Sequence, residues 1–188
     1  MTLQPFLVST GLVAIAEIGD KTQLLALLLA ARFRKPAPIL AGILVATVAN
    51  HLLAAAAGVA AGAVLQGPWM RWGLGAAFLV FAAWALIPDK FEDKDNPRDR
   101  GGSIFLTTLV AFFFVEMGDK TQVATVALAA RFHEVWMVAA GTTLGMMLAN
   151  TPVVFLGEAT AGRLPLKLIR LLAAASFAAI GVWILVTG

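Results

Sequence analysis

The chain has 188 residues, 60% of them hydrophobic, with a mean hydropathy of +0.87, well above the roughly half-apolar composition of soluble domains, which places it among integral membrane proteins. The absence of cysteine excludes disulfides, thiolate metal ligands and thiol catalysis, so a metal would have to be held by oxygen or imidazole. A net charge of +3 would suit nucleic acid, but the basic residues cluster in loops between apolar runs, where membrane topology accounts for them, so no nucleic-acid partner is expected.

The apolar runs predict an all-α integral membrane fold of six transmembrane helices at about 6–31, 37–65, 70–88, 103–130, 135–162 and 166–187. Met1 to Pro5 lacks a basic n-region and no small-residue cleavage site follows, so the first helix is expected to stay rather than leave as a signal peptide. Its middle carries Glu17-Ile-Gly-Asp-Lys-Thr-Gln23, and a turn with Arg32, Lys35, Pro36 and Pro38 ends it. The second run holds Asn50 and His51, and Gly67 and Pro68 separate it from the third. Residues 89–102 read DKFEDKDNPRDRGG, a mixture of both charge signs that is hard to bury and reads as a solvated linker. The fourth run carries Glu116-Met-Gly-Asp-Lys-Thr-Gln122. The fifth carries Asn150, then Pro152, expected to kink it, and Glu158, expected to snorkel or pair with Arg163. One membrane domain, 1–188, thus divides into repeat 1 (1–88), a linker (89–102) and repeat 2 (103–188).

The two motifs lie 99 positions apart, and residues 17–33 share eleven of seventeen positions with 116–132, which duplication explains most simply. After one residue of slippage Ala49-Asn50 matches Ala149-Asn150. Three helices per repeat force the second copy to enter the membrane from the opposite side, which predicts two inverted three-helix repeats. On this topology one side holds ten basic residues, among them Arg34, Lys94 and Arg170, and the other only Arg71 and Arg131. The positive-inside rule then makes the linker cytoplasmic and both termini extracytoplasmic.

Ionisable groups inside hydrocarbon cost roughly 2.5 to 3.5 kcal/mol each on insertion scales, so Glu17, Asp20, Lys21, Glu116, Asp119 and Lys120 at midplane depth call for a function. Spacings of three and four let each triplet share a helical face, while the glycine between permits close packing or a local break. Four carboxylates against two lysines leave a charge of minus two, which one divalent cation neutralises. Oxygens from Thr22, Gln23, Asn50, Thr121, Gln122 and Asn150 complete a hard-oxygen environment suited to Ca²⁺, Mn²⁺ or Mg²⁺. A cation and protons would compete for the same crowded carboxylates, the basis of an antiporter. Lys21 and Lys120, without acceptor lone pairs, are expected to tune Asp20 and Asp119 electrostatically rather than touch metal. Asn50 and Asn150 stand open between cation ligands and interhelical hydrogen-bond partners. His51, matched by Thr151 in the second copy, is set outside the site as a packing or proton-linked residue. A bland alternative has the acids and lysines pairing only to hold helices together.

The duplicated Glu-x-Gly-Asp-Lys-Thr pattern resembles the hallmark of the Gdt-type cation/proton exchanger family, and the resemblance extends over the half-and-half layout with its charged linker. It implies exchange of Ca²⁺ or Mn²⁺ for protons, with Glu17, Asp20, Glu116 and Asp119 as core cation residues and a bacterial inner-membrane setting. The expected function is export of Mn²⁺, or Ca²⁺, against protons by alternating access, with the lipid bilayer and the metal ion as partners and no cofactor. The rivals are a passive cation channel, an amino-acid exporter, which four convergent acids disfavour, and an intramembrane hydrolase, for which no nucleophile and histidine recur at motif depth.

Overall fold

A computed structural model describes residues 2–64, 67–88, 103–156 and 166–187. All regular structure in them is helical: α1 (Gln4–Glu17), α2 (Lys21–Phe33), α3 (Pro36–Val64), α4 (Pro68–Ala85), α5 (Ile104–Glu116), α6 (Lys120–Phe132), α7 (Val135–Leu156) and α8 (Leu166–Thr187). Among the described residues three helices, Pro36–Val64, Val135–Leu156 and Lys167–Thr187, are long and apolar enough to cross a membrane by length and composition. The 89–102 linker, Glu158 and Arg163 lie outside the described residues.

The first and fourth apolar runs, read as single spans whose glycine permits close packing or a local break, take the break. Each is two half-helices, broken at Ile18 to Asp20 and at Met117 to Asp119. Ile18 and Met117 turn extended, with ψ of 116° and 118°, and Gly19 and Gly118 follow at φ of +83° and +78°. That left-handed backbone is open to glycine at no steric cost, which is why the motif has glycine there. At 14 and 13 residues, α1 and α2 each reach only about 20 Å, short of a core about 30 Å thick, and together exceed it. The four remaining runs match α3, α4, α7 and α8 within a few residues over what is described. Pro152 lies inside α7 and, lacking an N–H, cannot donate to the Leu148 carbonyl.

Sequence duplication reappears as matched local structure. After α2 and α6, Arg34 and His133 adopt φ of 51° and 53°, each giving its backbone N–H to a carbonyl, Ala30 or Ala129, at 2.9 Å. That left-handed cap satisfies a last-turn carbonyl and stops both helices at the same register.

The packing is exchanged between halves: α1 lies on α7, and α5 lies on α3. Both seams close on a glycine. A Cβ on Gly42 of α3 would stand 2.8 Å from the Phe105 carbonyl oxygen and 2.7 Å from Thr108 Cβ, both on α5. A Cβ on Gly141 of α7 would stand 2.5 Å from the Phe6 carbonyl oxygen and 3.0 Å from Ser9 Cβ, both on α1. Each partner in one seam lies 99 positions from its counterpart in the other. Small residues at such crossings let backbones approach and gain dispersion contact, the main attraction left to helices in lipid.

Two apolar clusters flank the breaks. One joins Leu12, Ala55, Phe78, Leu128, Val138, Phe177 and Ile184, with Phe78, Phe81 and Phe177 packed ring to ring at 5.9 to 6.3 Å. The other joins Leu25, Leu29, Ile39, Ile43, Phe112 and Val154. Leu7, Leu53, Trp69, Phe114, Trp136 and Val186 point outward, an apolar exterior that suits lipid and not water.

Candidate cation site

Both breaks put acids into the interior. Glu17 ends α1 and Glu116 ends α5, while Asp20 and Asp119 occupy the N-cap positions of α2 and α6. Their exposures are 0%, 0%, 4% and 3%, so all four carboxyl groups sit away from the surface. Each break is a tight turn in which the Asp20 N–H reaches the Glu17 carbonyl at 3.1 Å and the Asp119 N–H reaches that of Glu116 at 3.0 Å. The half-helix geometry adds a field. The C-terminal ends of α1 and α5 present partial negative charge that favours cations, and the N-terminal ends of α2 and α6 favour the aspartates.

Carboxylate oxygens of Glu17, Asp20 and Asp119 lie within 4.8 Å of one another, so one break lends its aspartate to the other's acids. A cation also crosses over. Lys21 Nζ stands 3.4 Å from Asp119 Oδ1, an ion pair between the two motif copies rather than within one. Lys120 Nζ donates to the Ile87 carbonyl at 3.0 Å and lies 5.9 Å from the centre of the Trp84 ring.

The remaining polar side chains are bonded in ways the sequence does not reveal. Thr22 donates to Glu17 Oε2 at 2.5 Å. Gln23 Oε1 accepts the Gly19 N–H at 2.8 Å, and Gln122 Oε1 accepts the Gly118 N–H at 2.6 Å, so each glutamine closes the break beside it. Gln23 also donates to the Ala149 carbonyl at 3.0 Å, tying the first break to α7. Thr121 is buried on the first turn of α6. Asn50 donates both to the Phe113 carbonyl at 3.0 Å and to Glu116 Oε2 at 3.2 Å, linking α3 to the second break. Asn150 turns back on its own helix, donating to the Met146 carbonyl at 3.0 Å.

Two residues that sequence reasoning left aside also touch the acids. Thr47 donates to Glu116 Oε2 at 3.5 Å, and His51 Nε2 stands 2.8 Å from Glu116 Oε1 with both side chains fully buried. The signal was available: Thr47, Asn50 and His51 stand at i, i+3 and i+4, one face of α3. Several buried oxygens, Glu17 Oε1, Glu116 Oε1, Asp119 Oδ2, Asn50 Oδ1 and Asn150 Oδ1, have no hydrogen-bond partner among the described residues. Buried acceptors left this way cost about 1 to 3 kcal/mol each, more when charged, and an oxygen-seeking cation is the partner that suits them.

A helical bundle with an apolar exterior, two broken helices and buried carboxylates converging at the breaks has the form of a membrane transporter for cations. The family model described as "Divalent cation/proton antiporter GDT1" matches residues 5–93 and 104–188, and the chain belongs to that family. It is therefore a transporter and not an enzyme. A Vibrio cholerae protein named "Putative manganese exporter" is 49% identical over 172 residues, covering 90% of this chain and 84% of that protein. A GDT1-like protein of Synechocystis is 28% identical over 90% of this chain and 91% of its own length, and GDT1-like protein 5 of Arabidopsis thaliana is 27% identical over 98% and 96%. No solved structure matches the chain.

Proposed function

We propose that the chain exports a divalent cation, Mn²⁺ in first place and Ca²⁺ in second, from the cytoplasm across the cell (inner) membrane in exchange for protons. The observation that carries this reading is the meeting of Glu17, Asp20 and Asp119 within 4.8 Å at two helix breaks. These acids with Glu116 form the core of the site, and Thr22, Gln23, Asn50, Thr121, Gln122 and Asn150 supply or orient further oxygens. Lys21 and Lys120 tune the charge. The naming of the Vibrio relative for manganese supports Mn²⁺ over Ca²⁺.

The same reading has six membrane spans, each broken helix counting once, arranged as two inverted repeats with the linker cytoplasmic and both termini outside. The exchanged seams, α1 on α7 and α5 on α3, support it, because a two-fold axis between the repeats produces this reciprocity. Moving two positive charges outward against the membrane potential costs about 4.6 kcal/mol per 100 mV, and inward proton flow supplies that free energy. Exchange follows when the empty, fully ionised centre is too charged to alternate, whereas metal-loaded and protonated forms alternate freely.

Purified protein in proteoliposomes, with an internal pH dye and an imposed proton gradient, tests the reading. Mn²⁺ flux should be saturable and accompanied by opposite proton flux. Saturable metal flux with no proton movement would replace the exchanger with a uniporter, and unsaturable flux would replace it with a channel.

A further inference from the structure

The two copies are not equivalent around their glutamates. Glu17 is held by Thr22, five residues away on its own broken helix. Glu116 is gripped from α3 by Thr47 and Asn50, which donate to Oε2, while Oε1 is left facing His51 Nε2 at 2.8 Å. Asn50 spends its amide N–H groups on Glu116 and the Phe113 carbonyl, and its Oδ1 is buried without a hydrogen-bond partner among the described residues. His51 is fully buried, and neither ring nitrogen has a partner of hydrogen-bonding geometry among those residues. Glu116 Oε1 and His51 Nε2, paired among the described residues only with each other across 2.8 Å, and Asn50 Oδ1 are thus three atoms with lone pairs for a metal on two facing elements. Two ligand atoms bonded to one metal at about 2.1 Å and at right angles stand about 3 Å apart, close to the Glu116 to His51 separation.

We propose that His51 is a specificity-determining ligand, giving the transported cation one imidazole nitrogen beside Glu116 and Asn50. This rests on the cation-exchange reading and adds to it a chemical basis for choosing among cations. Ca²⁺ takes shells of oxygen, which the carboxylates and amides satisfy, whereas first-row divalent metals accept imidazole. Placing the nitrogen in one copy only makes the centre asymmetric, since Thr151 occupies the matching position in the other. That threonine also marks a side chain the repeat accommodates there, which makes His51→Thr the second variant beside His51→Gln.

The test is pulsed electron paramagnetic resonance on Mn²⁺ added below stoichiometry to the full-length chain in lipid nanodiscs, with Mn²⁺ and Ca²⁺ affinities measured alongside. Wild type and the control His133→Gln should both show nitrogen modulation of the imidazole type. His51→Gln and His51→Thr should lose it, bind Mn²⁺ about 10-fold more weakly and leave Ca²⁺ affinity nearly unchanged. Mn²⁺ bound in wild type without that modulation, or modulation persisting in His51→Thr, would overturn the assignment and leave the exchanger reading standing. Wild-type protein that binds no Mn²⁺ would overturn both, so the two failures are distinguishable.

Discussion

Lys21→Met removes the ammonium that lies 3.4 Å from Asp119 Oδ1 while keeping most of the side chain's bulk, so it isolates a charge. With Glu17, Asp20, Glu116 and Asp119 ionised against Lys21 and Lys120, the centre carries minus two, the charge that one divalent cation cancels, and losing Lys21 takes it to minus three. A unit pair at 3.4 Å is worth about 5 kcal/mol at an effective dielectric of 20. Lys21 keeps 22% of its side-chain surface accessible, so solvent screens part of that. A remaining fifth, about 1 kcal/mol, still moves a binding constant about fivefold. Initial rates of Mn²⁺ flux in proteoliposomes should therefore give an apparent KM lowered about fivefold or more. The maximal rate should fall as well, because the loaded centre now keeps a net negative charge and releases its ion slowly. An unchanged KM for Lys21→Met in monodisperse protein would refute charge compensation by this lysine.

Asp20→Asn and Asp119→Asn should each abolish transport while size-exclusion profiles and helical circular dichroism stay as in wild type; robust flux through either would remove the shared site. Gly118→Ala meets open space, since nothing lies within 4 Å of the added Cβ, so its effect is backbone strain alone, about 1 to 2 kcal/mol at φ of +78°. A lowered thermal midpoint is expected, and an unchanged one would count against the left-handed break. Gly141→Leu forces a side chain into the Phe6 carbonyl and should weaken the α1 to α7 seam, read as reduced thermal stability and flux. Membrane-impermeant thiol reagents applied outside should label cysteines at either terminus but not within 89–102, and the opposite pattern reverses the orientation.

Hydropathy located the apolar runs and the duplication singled out the four acids, because both are one-dimensional signals. The half-helix breaks were one of two options that the motif glycines left open, for a physical reason. Residues on both sides of Gly19 and Gly118 continue the same apolar pattern, and helices tolerate a glycine, so nothing in the composition demands a positive φ. The crossing of Lys21 to Asp119 is also invisible to spacing within one motif, which pairs each lysine with its own neighbouring aspartate. His51 escaped because duplication was the filter, and a residue present in only one copy fails it. Its face on α3 with Thr47 and Asn50 is a helical-period signal that the filter outweighed.

The closure of each break by its own glutamine bears on where the entropy of ordering is met. A stretch of non-helical backbone in an apolar interior exposes N–H groups, and one that waited for an ion to organise it would draw on the ion's binding free energy. Gln23 and Gln122 instead take the glycine N–H groups locally, four residues along the chain. The turn is therefore fixed when the protein folds, and on the proposed reading a cation would meet a preorganised socket. Its hydration shell would then be exchanged against oxygens already held in place, leaving the free energy of that exchange to drive conformational change.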